Sequence, residues 1–248
     1  MASLQQSALE ENQYEIDLPL VDISQFPQDF NFDGQRLIDH ALVATVREAC
    51  KEWGFFQLVN HGIPQDLLQD IQTVSRELLS MPTEAKDRAT NSNPSQSYFR
   101  SPGVPTPYET LCFPYSLDKD SVEETCTKIW PQQGNKKFCE TIGRYSLIVS
   151  DLAEKIIKII IASLCLDVNT IYESDFHRCN SNFRINHYSS HGKSIGEEAL
   201  LPHADVGCIT ILYQDEMGGL QIRSPQRTWY SVKPQSHSFI VNVGDSLK

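Results

Sequence analysis

The chain has 248 residues, enough for one large domain or two small ones, and at 40% hydrophobic and 21% charged it reads as ordinary globular material with a sizeable core. A formal net charge of -11, with no basic run, excludes recognition of nucleic acid or an anionic membrane through a basic surface. Met1-Ala2-Ser3-Leu4-Gln5-Gln6 is polar with no leader pattern, and the most apolar run, Ile156 to Leu166, is broken by Lys158 and too short for a bilayer, so a cytoplasmic protein with no membrane partner is expected.

In chain order, residues 1–15 are polar and expected to fray. Leu18-Pro19-Leu20-Val21-Asp22-Ile23 predicts a short strand. From Gln35 to Trp53 the apolar residues fall at helical spacing, with Gly54 as the stop. Phe55–Val59 predicts a strand, Asn60-His61-Gly62-Ile63-Pro64 a turn, and Gln65–Leu79 a second helix that ends before Pro82. Residues 89–118, rich in Ser, Pro, Asn and Tyr, read either as a lid facing substrate or as a solvated surface loop. Phe138 to Leu166 carries a wide apolar stripe (Tyr145, Ile148, Val149, Leu152, Ile156, Ile159, Ile160, Ser163) and predicts a long helix.

After Asp167 the period changes. Phe183–Tyr188 and Cys208–Tyr213 alternate at period two. Leu220–Ile222, Thr228–Val232 and Phe239–Val243 follow as short strands separated by Gly and Pro turns. The pattern gives a mixed α and β chain with helices first and then a sandwich or barrel. Seven cysteines (Cys50, Cys112, Cys126, Cys139, Cys165, Cys179, Cys208) are odd in number and scattered, with no C-x-x-C, and read as buried or incidental thiols in a reducing compartment.

The sharpest chemical signal is His203-Ala204-Asp205. On a strand, residues separated by one share a face, so an imidazole nitrogen and a carboxylate oxygen could reach one metal ion. The same tripeptide, following Pro202, also fits a plain surface turn. Asn186 and Tyr188 alternate in the same way, and their amide and phenol could hydrogen-bond a carboxylate or simply pair with backbone. His187 points to the opposite face of that strand, to packing or solvent. His191 lies in a polar loop and reads as exposed.

These segments resemble one family in order and spacing from about residue 16 to the end. Ile16-Asp17-Leu18-Pro19-Leu20-Val21-Asp22, the run from Ala49 to Pro64, His203-Ala204-Asp205, Gly218-Gly219-Leu220-Gln221-Ile222 and Val241-Asn242-Val243-Gly244-Asp245 are similar to segments of plant 2-oxoglutarate/Fe(II)-dependent dioxygenases. Gibberellin oxidases, flavonol synthases and anthocyanidin synthases share this arrangement, and Thr210–Asp215 is most similar to the gibberellin-oxidase branch.

The resemblance implies N-terminal helices packed on a double-stranded β-helix, a cupin-like jelly roll. It implies three regions: 16–120 N-terminal, 121–180 helical and connecting, and 181–248 partial jelly roll. It makes His203 and Asp205 ligands of Fe(II), and Asn186 and Tyr188 contacts of 2-oxoglutarate; His61 becomes structural. The implied reaction consumes 2-oxoglutarate and O2, releases succinate and CO2, and hydroxylates or desaturates a small plant metabolite or hormone. A monomer is expected.

In the family a third iron-binding histidine and an arginine that pairs with the distal carboxylate of 2-oxoglutarate lie on later strands. Counted from Asp205, both fall beyond Lys248, so a jelly roll lacking its last strands is expected. His237, in the turn before Phe239, and Arg223 and Arg227, beside Ser224-Pro225, are not at those positions. The readings left open are an oxygenase completed by further chain, a catalytically inactive pseudoenzyme or binding module, and a cupin-like metal-binding protein of another function.

Overall fold

A computed structural model describes residues 14–24, 39–90, 97–100, 108–113, 119–177, 179–188 and 199–247. In chain order it has strands β1 (Tyr14–Ile16) and β2 (Leu20–Asp22), helix α1 (His40–Glu52), β3 (Phe55–Val59), α2 (Gln65–Leu79) and α3 (Thr83–Asp87). Strands β4 (Tyr98–Arg100) and β5 (Tyr108–Phe113) and helices α4 (Lys119–Ile129), α5 (Lys136–Ser163) and α6 (Val168–Ile171) follow. The last strands are β6 (Phe183–Tyr188), β7 (Ile209–Leu212), β8 (Gln221–Arg223), β9 (Trp229–Val232) and β10 (Phe239–Val243). Two compact units result: Met1–His61 with Ile159–Asp167 and Asp205–Lys248, and Gly62–Lys158 with Val168–Ala204.

The first unit holds two sheets, β2-β3-β10-β7 and β1-β9-β8. Strand β10 is central, antiparallel to both β3 and β7, and its Phe239, Ile240 and Val241 are buried as its apolar run requires. Ile240 shares one buried cluster with Leu18, Ile222 and Val232, and Phe55 and Leu212 pack against it. The two sheets thus meet face to face, as in a jelly roll. Helix α1 is capped by Asp39, whose Oδ1 accepts the Ala41 N–H at 2.9 Å. It buries Leu42, Val46 and Ala49 and stops at Gly54, whose φ of 68° is a left-handed conformation that Gly adopts without strain.

β3, α2 and β10 have the bounds that the sequence pattern predicts. Two local expectations are corrected. Tyr14 and Glu15, expected to fray, belong to β1: they pair in parallel with Tyr230 and Ser231, and the Tyr14 ring meets that of Tyr230 at 6.0 Å. A polar segment is ordered here by a neighbouring strand that local propensity does not reveal. Cys126 and Cys139, expected as thiols, are joined in a disulfide between α4 and α5. The predicted helix start at Gln35 and the His191 loop lie outside the described residues, as does part of the 89–118 segment. No described helix is long and apolar enough to cross a membrane.

The second unit is built on α5, whose Phe138, Ile142, Tyr145, Leu152 and Ile156 are buried, and on the antiparallel sheet β4-β5-β6. Below this sheet sits a charged network centred on Glu109. Lys86 Nζ donates to Glu109 Oε2 (2.7 Å) and to the Leu79 carbonyl (2.8 Å), and the Tyr98 hydroxyl donates to the same Oε2 (2.6 Å). His187 Nδ1 lies 3.0 Å from Oε1. The Lys86 and Glu109 side chains are only 6% and 12% exposed, so water screens the pair little.

Burial pushes the Glu109 carboxyl up, and the hydrogen bonds from Lys86, Tyr98 and His187 more than offset this, leaving it below its ordinary value. A depressed folded-state pKa contributes stability that is present above the ordinary glutamate pKa and is lost as pH falls through the lowered one. Glu109→Ala, which strands Lys86 without its anion, is expected to cost about 3–5 kcal/mol. Urea unfolding measures that loss, and the gap between wild type and variant should narrow as the buffer is taken into the acid range.

Candidate metal and cosubstrate site

His203 and Asp205 do not lie on a strand. Residues 201–205 have no regular structure and β7 begins only at Ile209, so the shared-face expectation is corrected. The physical reason is local. Pro202 has no N–H for a ladder, and the carbonyls of the loop are taken by the segment after β10. Asp245 N–H donates to the Asp205 carbonyl (2.8 Å), Gly244 N–H to Cys208 (2.8 Å), and Ser246 Oγ to Val206 (2.6 Å). Gly244 is required there: a Cβ on it would run into the Gly207 carbonyl oxygen and stand 2.9 Å from the Asp205 carbonyl oxygen.

The Asp205 side chain is held as firmly as its backbone. Its Oδ2 accepts the Thr210 hydroxyl at 2.6 Å and the Asn242 amide at 2.9 Å. Thr210 and Asn242 are direct partners in the β7–β10 ladder. His203, which belongs to the other unit, places Nδ1 2.9 Å from the Leu201 carbonyl. A carbonyl only accepts, so Nδ1 carries the proton and the lone pair of the neutral ring resides on Nε2.

Asn186 and Tyr188 share one face of β6. Asn186 Oδ1 accepts the Thr110 hydroxyl (2.7 Å) and the Tyr108 hydroxyl (3.3 Å), and the Tyr188 ring stacks on Tyr108 with centroids 5.1 Å apart. Phe99, opposite Thr110 in the ladder, lies on the same face and is exposed. His187 does point the other way, to Glu109.

The remaining candidates are elsewhere. His61 Nε2 lies 3.2 Å from the His237 carbonyl and its ring packs on Phe239, and burial lowers its pKa, as befits a structural imidazole. His237 occupies an exposed turn with φ 58°. Arg223 lies over the Trp229 ring.

Each group taken by itself fits Fe(II) in type: an imidazole whose Nδ1–H is engaged by a carbonyl, and a carboxylate oriented by two donors. Among the described residues no group of three or more His, Cys, Asp and Glu side chains is gathered to hold a metal ion. Thr110, Tyr108 and Glu109 carry no motif of their own, and Thr210 and Asn242 lie in segments that resemble the family without being read there as site residues. The one signal available was Asn242, a lone amide in the otherwise apolar run Phe239–Val243.

Comparison with known proteins defines the class. Residues 18–133 match the family described as non-haem dioxygenase in morphine synthesis N-terminal, and residues 179–248 match the 2OG-Fe(II) oxygenase superfamily. A gibberellin 20-oxidase-like protein of Arabidopsis thaliana is 30% identical over 232 residues, covering 87% of this chain and 69% of that protein. This chain belongs to the 2OG-Fe(II) oxygenase superfamily, whose chemistry uses Fe(II), 2-oxoglutarate and O2.

The dioxygenase for auxin oxidation 1 of Arabidopsis thaliana, solved as a 2-oxoglutarate binary complex, superimposes with a TM-score of 0.78 at 25% identity over 93% of this chain and 80% of that one. JOX2, solved with 2OG, Fe and JA, gives 0.76 at 27% identity over 95% and 67%. The mixed fold with a jelly-roll core is thereby shown. The chain spans 54% to 69% of the length of the curated relatives it matches.

Gly244→Ala should destabilise the protein by about 1–3 kcal/mol, because two backbone segments rather than a flexible side chain must give way. A lowered urea midpoint with an unchanged m-value would match this expectation, and an unchanged midpoint would contradict it.

Proposed function

We propose that this chain is the iron- and cosubstrate-binding part of a dioxygenase that hydroxylates or desaturates a small plant metabolite of the hormone type, releasing succinate and CO2. The observation that carries the reading is the Asp205 carboxylate, immobilised by hydrogen bonds from two adjacent strands two residues after an imidazole whose lone pair is on Nε2. In this reading His203 and Asp205 bind Fe(II).

Asn186 and Tyr188 contact 2-oxoglutarate. The hydroxyls of Thr110 and Tyr108 at Asn186 Oδ1 turn its NH2 group toward the ligand, as a carboxylate requires. Phe99 and the Tyr108–Tyr188 stack offer an apolar surface for a carbon skeleton. Bound Fe(II) supplies O2 activation coupled to decarboxylation of 2-oxoglutarate. The protein's own part is to fix donors and seat the substrate. The substrate class draws on relatives whose names refer to gibberellin and auxin oxidation. The protein acts as a monomer.

Release of labelled CO2 from 1-[14C]-2-oxoglutarate with added Fe(II), measured on the chain and on a version extended with a relative's remaining strands, tests the assignment. His203→Ala is expected to lower turnover in the extended version by at least about 10-fold, and Tyr188→Phe to raise the KM for 2-oxoglutarate. Turnover indifferent to His203→Ala would refute the reading. Metal binding that depends on His203, without succinate from the extended version, would mark a binding module instead.

A further inference from the structure

We infer that Thr210 and Asn242 are positioning residues for the metal-binding carboxylate; the inference rests on the reading of Asp205 as a ligand. An ionised carboxylate only accepts hydrogen bonds, so both contacts have one possible direction: Thr210 Oγ1–H and Asn242 Nδ2–H donate to Asp205 Oδ2, at 2.6 and 2.9 Å. Both donors converge on one of the two oxygens. The pair therefore holds the Asp205 carboxylate in one orientation.

The two donors are rigidly placed. They stand opposite each other in the β7–β10 ladder, one step from the Ile211–Val241 pair, and β10 is clamped on its other side by β3. They lie on the sheet face that carries Leu212 and Ile240, the face that packs against the second sheet. Asn242 is only 8% exposed and interrupts an otherwise apolar central strand. A buried amide is costly unless paired, and its pairing with Asp205 accounts for its presence there. The Thr210 hydroxyl stands where a valine would serve packing equally well. The hydrogen bond from Asp245 N–H to the Asp205 carbonyl fixes the backbone of the same residue.

The test uses the full chain and Mn(II) alone as probe, with the free ion followed by its electron paramagnetic resonance signal. Thr210→Val, which keeps the branched shape and removes the donor, and Asn242→Ala are each expected to weaken Mn(II) binding about 10- to 100-fold. Thr210→Ser, which restores the hydroxyl, should return it to near wild type. Circular dichroism of the metal-free proteins shows whether each variant is folded; should one not fold, the other decides.

Binding by Thr210→Val and Asn242→Ala as tight as wild type, alongside loss in His203→Ala and Asp205→Ala, would overturn this inference and leave the functional reading standing. Failure of Thr210→Ser to rescue a weakened Thr210→Val would also overturn it, since packing rather than the hydroxyl would then matter. Wild-type binding unaffected by His203→Ala and Asp205→Ala, or no binding at all, would sink both.

Discussion

The hydrogen bonds from Thr210 and Asn242 to a single oxygen of Asp205 tie the chemistry of this chain to its sheet architecture. A carboxylate on an irregular loop would ordinarily sample several rotamers. Here the loop is fastened through its backbone to residues 244–246 and through its side chain to β7 and β10. Strand β10 can serve as the anchor because it is central: it has ladder partners on both sides, and its consecutive Phe239, Ile240 and Val241 are buried. A site of this kind inherits its precision from the core beneath it.

The sheet β4-β5-β6 shows the same logic with different chemistry. Strand β5 is two-faced. Tyr108 and Thr110 engage Asn186 and Tyr188 on one side, and Glu109 engages His187, Lys86 and Tyr98 on the other. A buried ion pair is weak evidence for stability, since desolvation offsets most of its attraction. Its value here lies in register. Glu109 opposite His187 is satisfied only when Thr110 stands opposite Asn186, so the charged network and the polar face specify one pairing together.

Membership of the 2OG-Fe(II) oxygenase superfamily rests on family matches over residues 18–133 and 179–248 and on fold similarity across 93% or more of the chain.

The amino-acid sequence alone determined the helices with strong apolar periodicity, the β-strands of the C-terminal part and the identity of the chemical groups. Period and punctuation are local properties: Gly54 stops α1 because a left-handed residue is needed there, and the unbroken apolar run Phe239–Val241 marks β10 as a strand buried on both faces. Tertiary structure alone decided that Tyr14–Ile16 is a strand, that His203 and Asp205 sit on a fastened loop, and that Lys86, 23 residues from Glu109, is its partner. Each of these depends on a hydrogen bond or ion pair with a residue distant in sequence. Such a partner leaves no periodic trace in the segment it stabilises, because its free energy appears only once the chain has closed.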